Sequence, residues 1–318
     1  MKSCVLMLAY AAISATSIAA DPPTESSTPA AADLEEVVVS APEPRYAAPT
    51  LRDRIGRVWA PVFINGKGPF RLVLDTGATR SAVIASVAER LGLKTQSNNR
   101  VRLHGVTGNA IVGTIHVDSL EAGELLLKGS VLPVVADVFG GAEGVLGTEG
   151  LADKRIVIDF GRDRVEITRS HNQAAPDGFT TIPVKFVRGA LLAVSARMGN
   201  SRIQAIIDTG GERSVGNEAL RTTLATRKHA TAVQAEIVGV TLDVQRGDVI
   251  PTPSVELGTL KISPLGIMFG DMAIFEHWRL QREPTLLIGM DVLGMVDVLI
   301  LDYRRKELQI RLRGRNHR

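Results

Sequence analysis

Cysteine is nearly absent from this 318-residue chain, and the single one is Cys4. One thiol cannot build a disulfide framework or a cysteine-ligated metal centre. Aromatic residues make up only 4%, too few for the stacking platforms that grip single-stranded nucleic acid. A strong charge of one sign is also lacking. Lys and Arg number 37 and Asp and Glu 34, a formal net charge of +3. No basic helix or zinc-finger spacing accompanies that small excess, so nucleic acid is not an expected partner. Of six histidines, the closest pair is His104 and His116, 12 residues apart, and no His-Glu-x-x-His occurs. No Gly-x-Ser-x-Gly elbow is present either. Gly66-Lys67-Gly68 lacks the rest of a phosphate loop and reads as a hairpin turn between Val58–Ile64 and Phe70–Leu74. Neither a metal nor a cofactor is expected.

Long hydrophobic runs are missing except at the start. Val5 to Ile13 is apolar, follows a lysine, and leads to the small residues Ser17-Ile18-Ala19. Residues 1–20 therefore read as a signal peptide, too short to span a bilayer. Its removal would take Cys4 with it and leave a periplasmic or secreted chain with no stable membrane insertion. Residues 21–54 carry prolines at 22, 23, 29, 42, 44 and 49 and no apolar face, which predicts a disordered linker. Val37-Val38-Val39 is a strand-like exception of three residues. The arginine-rich end, 304–318, reads as a solvated last strand and tail.

From Ile55 the texture is that of a mainly β fold with few short helices. β-branched runs recur at Val58–Ile64, Arg71–Leu74, Ile111–Val117, Val131–Val135, Arg155–Asp159 and Arg164–Ile167, separated by Gly, Pro, Asn and Asp. Ala85 to Leu93 reads as a helix with Val87, Ala88 and Leu91 on its apolar face and Gly92 as its stop.

The chain repeats itself. Leu72-Val73-Leu74-Asp75-Thr76-Gly77 recurs as Ala205-Ile206-Ile207-Asp208-Thr209-Gly210. Gly144-Val145-Leu146-Gly147 recurs as Leu286-Leu287-Ile288-Gly289, and Arg155–Asp159 as Val298–Asp302. The order is the same, and the offset drifts from 133 to 142 and 143, as insertions in the second copy would produce. The expected organisation is two related lobes, 55–170 and 178–315.

An apolar strand that ends in Asp-Thr-Gly pushes a carboxylate into a turn. Either copy alone is as easily an ordinary turn; a pair inside a repeat is a stronger signal. A pseudo-twofold would set Asp75 and Asp208 face to face, where they cannot both ionise cheaply and so share one proton. Such a pair holds a general base and a general acid together. Asp159 and Asp302 end strands before turns and are not assigned to catalysis.

Leu74-Asp75-Thr76-Gly77-Ala78-Thr79, Ser81 and the Ala88–Leu93 segment resemble the bacterial retropepsin-like aspartic proteases. Val145-Leu146-Gly147 and Leu287-Ile288-Gly289-Met290-Asp291 are similar to that family's second signature. The resemblance implies two β-barrel lobes, a catalytic dyad of Asp75 and Asp208, interlocking Thr76 and Thr209, and Gly77 and Gly210 beneath the substrate. It implies an aspartic endopeptidase in which water attacks the peptide bond directly, acting on polypeptide as a monomeric, intrachain pseudo-dimer. The alternative is a non-catalytic peptide-binding module on the same fold. Expected substrate contacts are Ala78, Gly211 and Glu212, with Gly105, Val106 and Thr107 on a flap. Ile237–Thr241 is the weaker counterpart of that flap. Neither Ala78 nor Gly211 carries a hydroxyl to stabilise the ionised dyad, so the pair should titrate higher than in pepsins.

Overall fold

A computed structural model describes residues 35–38, 58–189, 191–224 and 232–313. The expected signal peptide with Cys4 lies outside the described residues. So does the expected linker, apart from 35–38, and so do the last five residues. Among the described residues no helix is long and apolar enough to cross a membrane.

The described residues are mainly β with four short helices. The first copy comprises β1 (Glu35–Val38), β2 (Trp59–Ile64), β3 (Lys67–Leu74), β4 (Ala82–Ile84), α1 (Ala85–Leu91), β5 (Gln96–His104), β6 (Asn109–Ala122), β7 (Leu125–Val135) and β8 (Gly144–Leu146), then β9 (Lys154–Asp159) and β10 (Arg164–Arg169). After β11 (Thr180–Pro183) and β12 (Lys185–Val187), the second copy runs through β13 (Leu191–Met198), β14 (Ser201–Ile207), β15 (Val215–Gly216), α2 (Glu218–Thr223), β16 (Val233–Val238), β17 (Val244–Pro251), β18 (Val255–Leu257), β19 (Leu260–Ile262), β20 (Gly266–Phe269), α3 (Ala273–His277), β21 (Thr285–Ile288), α4 (Met290–Leu293), β22 (Val296–Asp302) and β23 (Glu307–Leu312).

β1 falls inside the span read as a linker. It lies parallel to β5, with Glu35 opposite Val101 and Val38 opposite His104. The hairpin turn expected at Gly66-Lys67-Gly68 sits one residue earlier. Asn65 and Gly66 both have positive φ, 50° and 69°, the conformation that an Asn-Gly turn between twisted strands requires. Lys67 is already in β3.

In the first lobe, β6, β2, β3, β8, β4 and β7 follow one another by pairing, and β7 pairs back to β6, so the barrel closes. Its interior is apolar, with Val62, Ile64, Leu72, Leu74, Ile115, Leu120 and Leu132 all buried. The second lobe repeats the path with a difference. The places of the long β6 and β7 are each taken by two short strands, β17 and β18, then β19 and β20. Pro253 and Pro264 stand in the two breaks, and proline has no N–H to give to a ladder. Most of the extra residues of the second copy lie between β20 and β21, where α3 forms.

A five-stranded sheet joins the copies in the order β10-β9-β22-β23-β11. At its centre Val157 pairs with Ile300, flanked by Ile156 with Leu301 and Ile158 with Leu299. Val157 and Ile300 are equivalent positions of the repeat, so the pseudo-twofold passes between them. Arg155 of the first copy reaches Asp302 of the second at 2.8 Å, both buried, with Ser170 Oγ and Gln309 completing the network. This satisfies the donors and acceptors that burial would otherwise leave costly.

Candidate functional site

β3 and β14 deliver their aspartates to the same place because each strand ends against its neighbour. The N–H of Asp75 donates to Leu146 O at 3.0 Å, and that of Asp208 to Ile288 O at 3.0 Å. The chain then turns, and two backbone N–H groups point back at each carboxylate. Asp75 Oδ1 accepts from Gly77 N at 2.7 Å and Ala78 N at 3.0 Å. Asp208 Oδ1 accepts from Gly210 N and Gly211 N, both at 3.1 Å.

The threonines between them lock the two loops together. Thr76 Oγ1 donates to Ile207 O at 2.6 Å and accepts from Thr209 N at 3.1 Å. Thr209 Oγ1 donates to Leu74 O at 2.6 Å and accepts from Thr76 N at 3.1 Å. All four bonds cross from one copy to the other, and all are buried. Gly210 lies directly against the Asp75 carboxyl. A Cβ there would stand 2.2 Å from Asp75 Cγ, so this approach requires glycine.

Both carboxylates are buried. Burial pushes the Asp75 carboxyl well above its usual value of 3.8, and the negative charge of Asp208 pushes the same way. The N–H donors from Gly77 and Ala78 oppose that rise without cancelling it. Among the described residues Asp75 Oδ2 has no hydrogen-bond partner. An unpartnered carboxyl oxygen beside a second carboxylate is where a bound proton or an incoming polar group is most favoured.

Behind each loop stands a matching support. Ser81 Oγ accepts from Gly147 N at 3.1 Å, and Ser214 Oγ accepts from Gly289 N at 3.2 Å. Ser81 N donates to Glu149 at 2.6 Å, and Ser214 binds Asp291 through both N–H and hydroxyl, at 2.9 and 2.7 Å. Burial raises both supporting carboxyls, Glu149 and Asp291. The sequence pattern marks Ser81 and, within the second signature, Asp291, but not Ser214 or Glu149. The signal was available: Ser81 and Ser214 share the 133-residue offset of the aspartates, and an acid follows each glycine by two positions. Ala78 O accepts from Thr148 and Gly211 O from Met290. These bonds tie the residues after each Asp-Thr-Gly to the same supports. Glu212 is buried, and its carbonyl accepts from Asp291 N.

The two hairpins singled out in the sequence meet. Gly105, Val106 and Thr107 form the tip between β5 and β6, closed by Gly105 N donating to Gly108 O at 2.8 Å. The tip between β16 and β17, residues 239–243, lies against it. Gln245 Nε2 donates to Thr107 O at 3.2 Å, and the Thr107 and Thr241 hydroxyls are 3.4 Å apart. Val106 is fully buried, in an apolar group otherwise made of second-lobe residues such as Leu191, Phe275 and Trp278. His104, at the end of β5, stacks on His277 of α3 with ring centroids 3.9 Å apart. The first lobe's hairpin is therefore held by the second lobe.

Two carboxylates in this arrangement can hold one proton between them and so offer a base and an acid to one bound molecule. Residues 60–149 match a family model described as aspartyl protease. That span includes Asp75, Thr76, Gly77 and the hairpin tip at 105–107. A search of curated proteins finds no match.

Proposed function

We propose, from the match of residues 60–149 to an aspartyl protease family model, that the chain is a complete two-lobed aspartic endopeptidase of the retropepsin-like type. The observation that carries this reading is the reciprocal threonine lock, which pairs an aspartate from each copy in one buried site.

The proposed chemistry starts from a dyad bearing one proton. The ionised carboxylate takes a proton from a water molecule as its oxygen attacks the carbonyl carbon of the scissile bond. The protonated carboxyl donates to the carbonyl oxygen. The tetrahedral intermediate collapses as the C–N bond breaks and the amine leaves with a proton from the dyad. No bond to the enzyme forms. The raised Asp75 supports a working range that extends to weakly acidic and neutral pH, which suits a periplasmic or secreted enzyme. We propose that the substrate is polypeptide, that Ala78 and Gly211 border it from below, and that the 105–107 tip covers it. A monomer suffices, because both halves of the site lie in one chain.

The test is binding of a statine-type peptide, whose hydroxyl imitates the attacking water. It should raise the melting temperature of wild type, inhibit cleavage of a peptide library, and lose its stabilising effect in Asp208→Asn. Chelators should leave cleavage unchanged. A statine peptide that neither stabilises nor inhibits would contradict the proposal.

A further inference from the structure

The second lobe has a concavity of ≈ 630 Å³ on the outer side of β13 and β14, lined by Lys185, Ser195, Arg197, Arg202 and Gln204 among others. Three observations converge on it. The first is a gap in the sheet. On its outer edge β13 pairs with β12 at Leu191–Ala193 and with β18 at Arg197 and Met198. Between them, Val194 to Ala196 have no neighbouring strand on that edge. Such an edge accepts an extended chain by backbone hydrogen bonding.

The second is an excess of donors. Arg197 stands directly opposite Arg202 across the β13–β14 ladder, a like-charge pair that destabilises unless an anion is engaged with it; Glu256 stands opposite Arg197 on β18 but makes no ion pair with it. Neither arginine, nor Lys185, has an ion pair or hydrogen bond with any described residue. The Nε2 of Gln204, opposite Ser195, is buried without a partner among the described residues. Of the acidic residues in the lining, Glu256 is drawn to Lys261 at 3.6 Å; the other is Glu283.

The third is the contrast with the first lobe. Pro61 pairs with Arg71 across β2 and β3, as Ser195 pairs with Gln204 across β13 and β14, so Pro61 stands where the second lobe has Ser195. Pro61 lines the corresponding cavity of ≈ 430 Å³ and has no N–H to offer at that edge. The exposed edge is blunted in one lobe and open in the other.

We propose that the concavity on β13 is a second peptide-binding site, separate from the dyad, that takes an extended acidic segment of a polypeptide. The segment's backbone pairs with Val194–Ala196, and its carboxylates accept from Arg197, Arg202 and Lys185.

The probe is a capped, fluorescein-labelled octapeptide of alternating Glu and Val, which favours an extended chain. It is titrated by anisotropy against full-length Asp208→Asn protein, so that nothing is cleaved. The readout is binding, so this proposal stands or falls apart from the peptidase reading. We expect saturable binding, weakened at least about tenfold by Arg197→Gln with Arg202→Gln and weakened again by high salt. An alternating Lys and Val probe should not bind. Should the double variant fail to fold by circular dichroism, either single variant or Lys185→Gln gives the same reading. Unchanged affinity in the variants would overturn the proposal. So would equal binding of the Lys probe, or displacement by inorganic phosphate as effective, mole for mole, as by unlabelled peptide; the latter marks a site for small anions only.

Discussion

Thr76 and Thr209 each hold the other's loop by the same two contacts, a hydroxyl donated to a carbonyl at 2.6 Å and an N–H accepted at 3.1 Å. The lock is what turns two separate turns into one site, because each aspartate follows the carbonyl, or precedes the N–H, that the other threonine binds. Replacing Thr76 by Val would strand a buried N–H and a buried carbonyl of the second copy. Each costs about 1–3 kcal/mol. Thr76→Val should therefore lower stability by a few kcal/mol and abolish most activity, whereas Thr76→Ser should keep both. Chemical denaturation and kcat/KM on one peptide read the two effects. A Thr76→Val variant as active as wild type would refute the role given to the lock.

The second prediction follows from the raised Asp75. A carboxyl whose pKa is raised on folding favours the folded state while protonated. That contribution is complete below the unfolded value near 3.8 and is lost as pH rises through the folded value. Asn cannot ionise and escapes the loss. Asp75→Asn should match wild type in melting temperature near pH 3 and exceed it at neutral pH. Melting curves across that range check this, and a destabilised variant at pH 7 would reverse the sign.

The flap offers a third. Val106 is buried among second-lobe side chains, so its burial exists only when the hairpin is down. Val106→Ser removes apolar contact worth about 1–3 kcal/mol from the closed state. It should cut kcat/KM about tenfold or more while leaving the two barrels intact. Equal kcat/KM would mean that closure does not limit the reaction.

The sequence made the site legible through repetition. Asp75 and Asp208, Gly147 and Gly289, and Asp159 and Asp302 all declare themselves by their offset, because a pseudo-twofold must present the same chemistry twice. The strands were legible where their side chains alternate or stay apolar, as in Arg155–Asp159. Their ends were not. β6 extends to Ala122 and β7 begins at Leu125, because cross-strand pairing in a long hairpin carries exposed residues that local pattern does not mark as strand. β1 was legible only in Val37 and Val38, two of the three strand-like valines; as a strand it takes its form from pairing with β5. The roles of Glu149 and Asp291 as supports depend on the serines opposite them, which local pattern does not show. The contact of Val106 with the second lobe depends on distant chain segments and has no local signature.

The most direct test of the account is cleavage of a mixed peptide library at pH 4 to 7 by wild type, Asp75→Asn and Asp208→Asn, with products identified by mass spectrometry. The dyad account predicts defined internal cuts by wild type and none by either variant, with both variants folded by circular dichroism. Cutting that survives unchanged in either variant, or its absence from folded wild type, would contradict it.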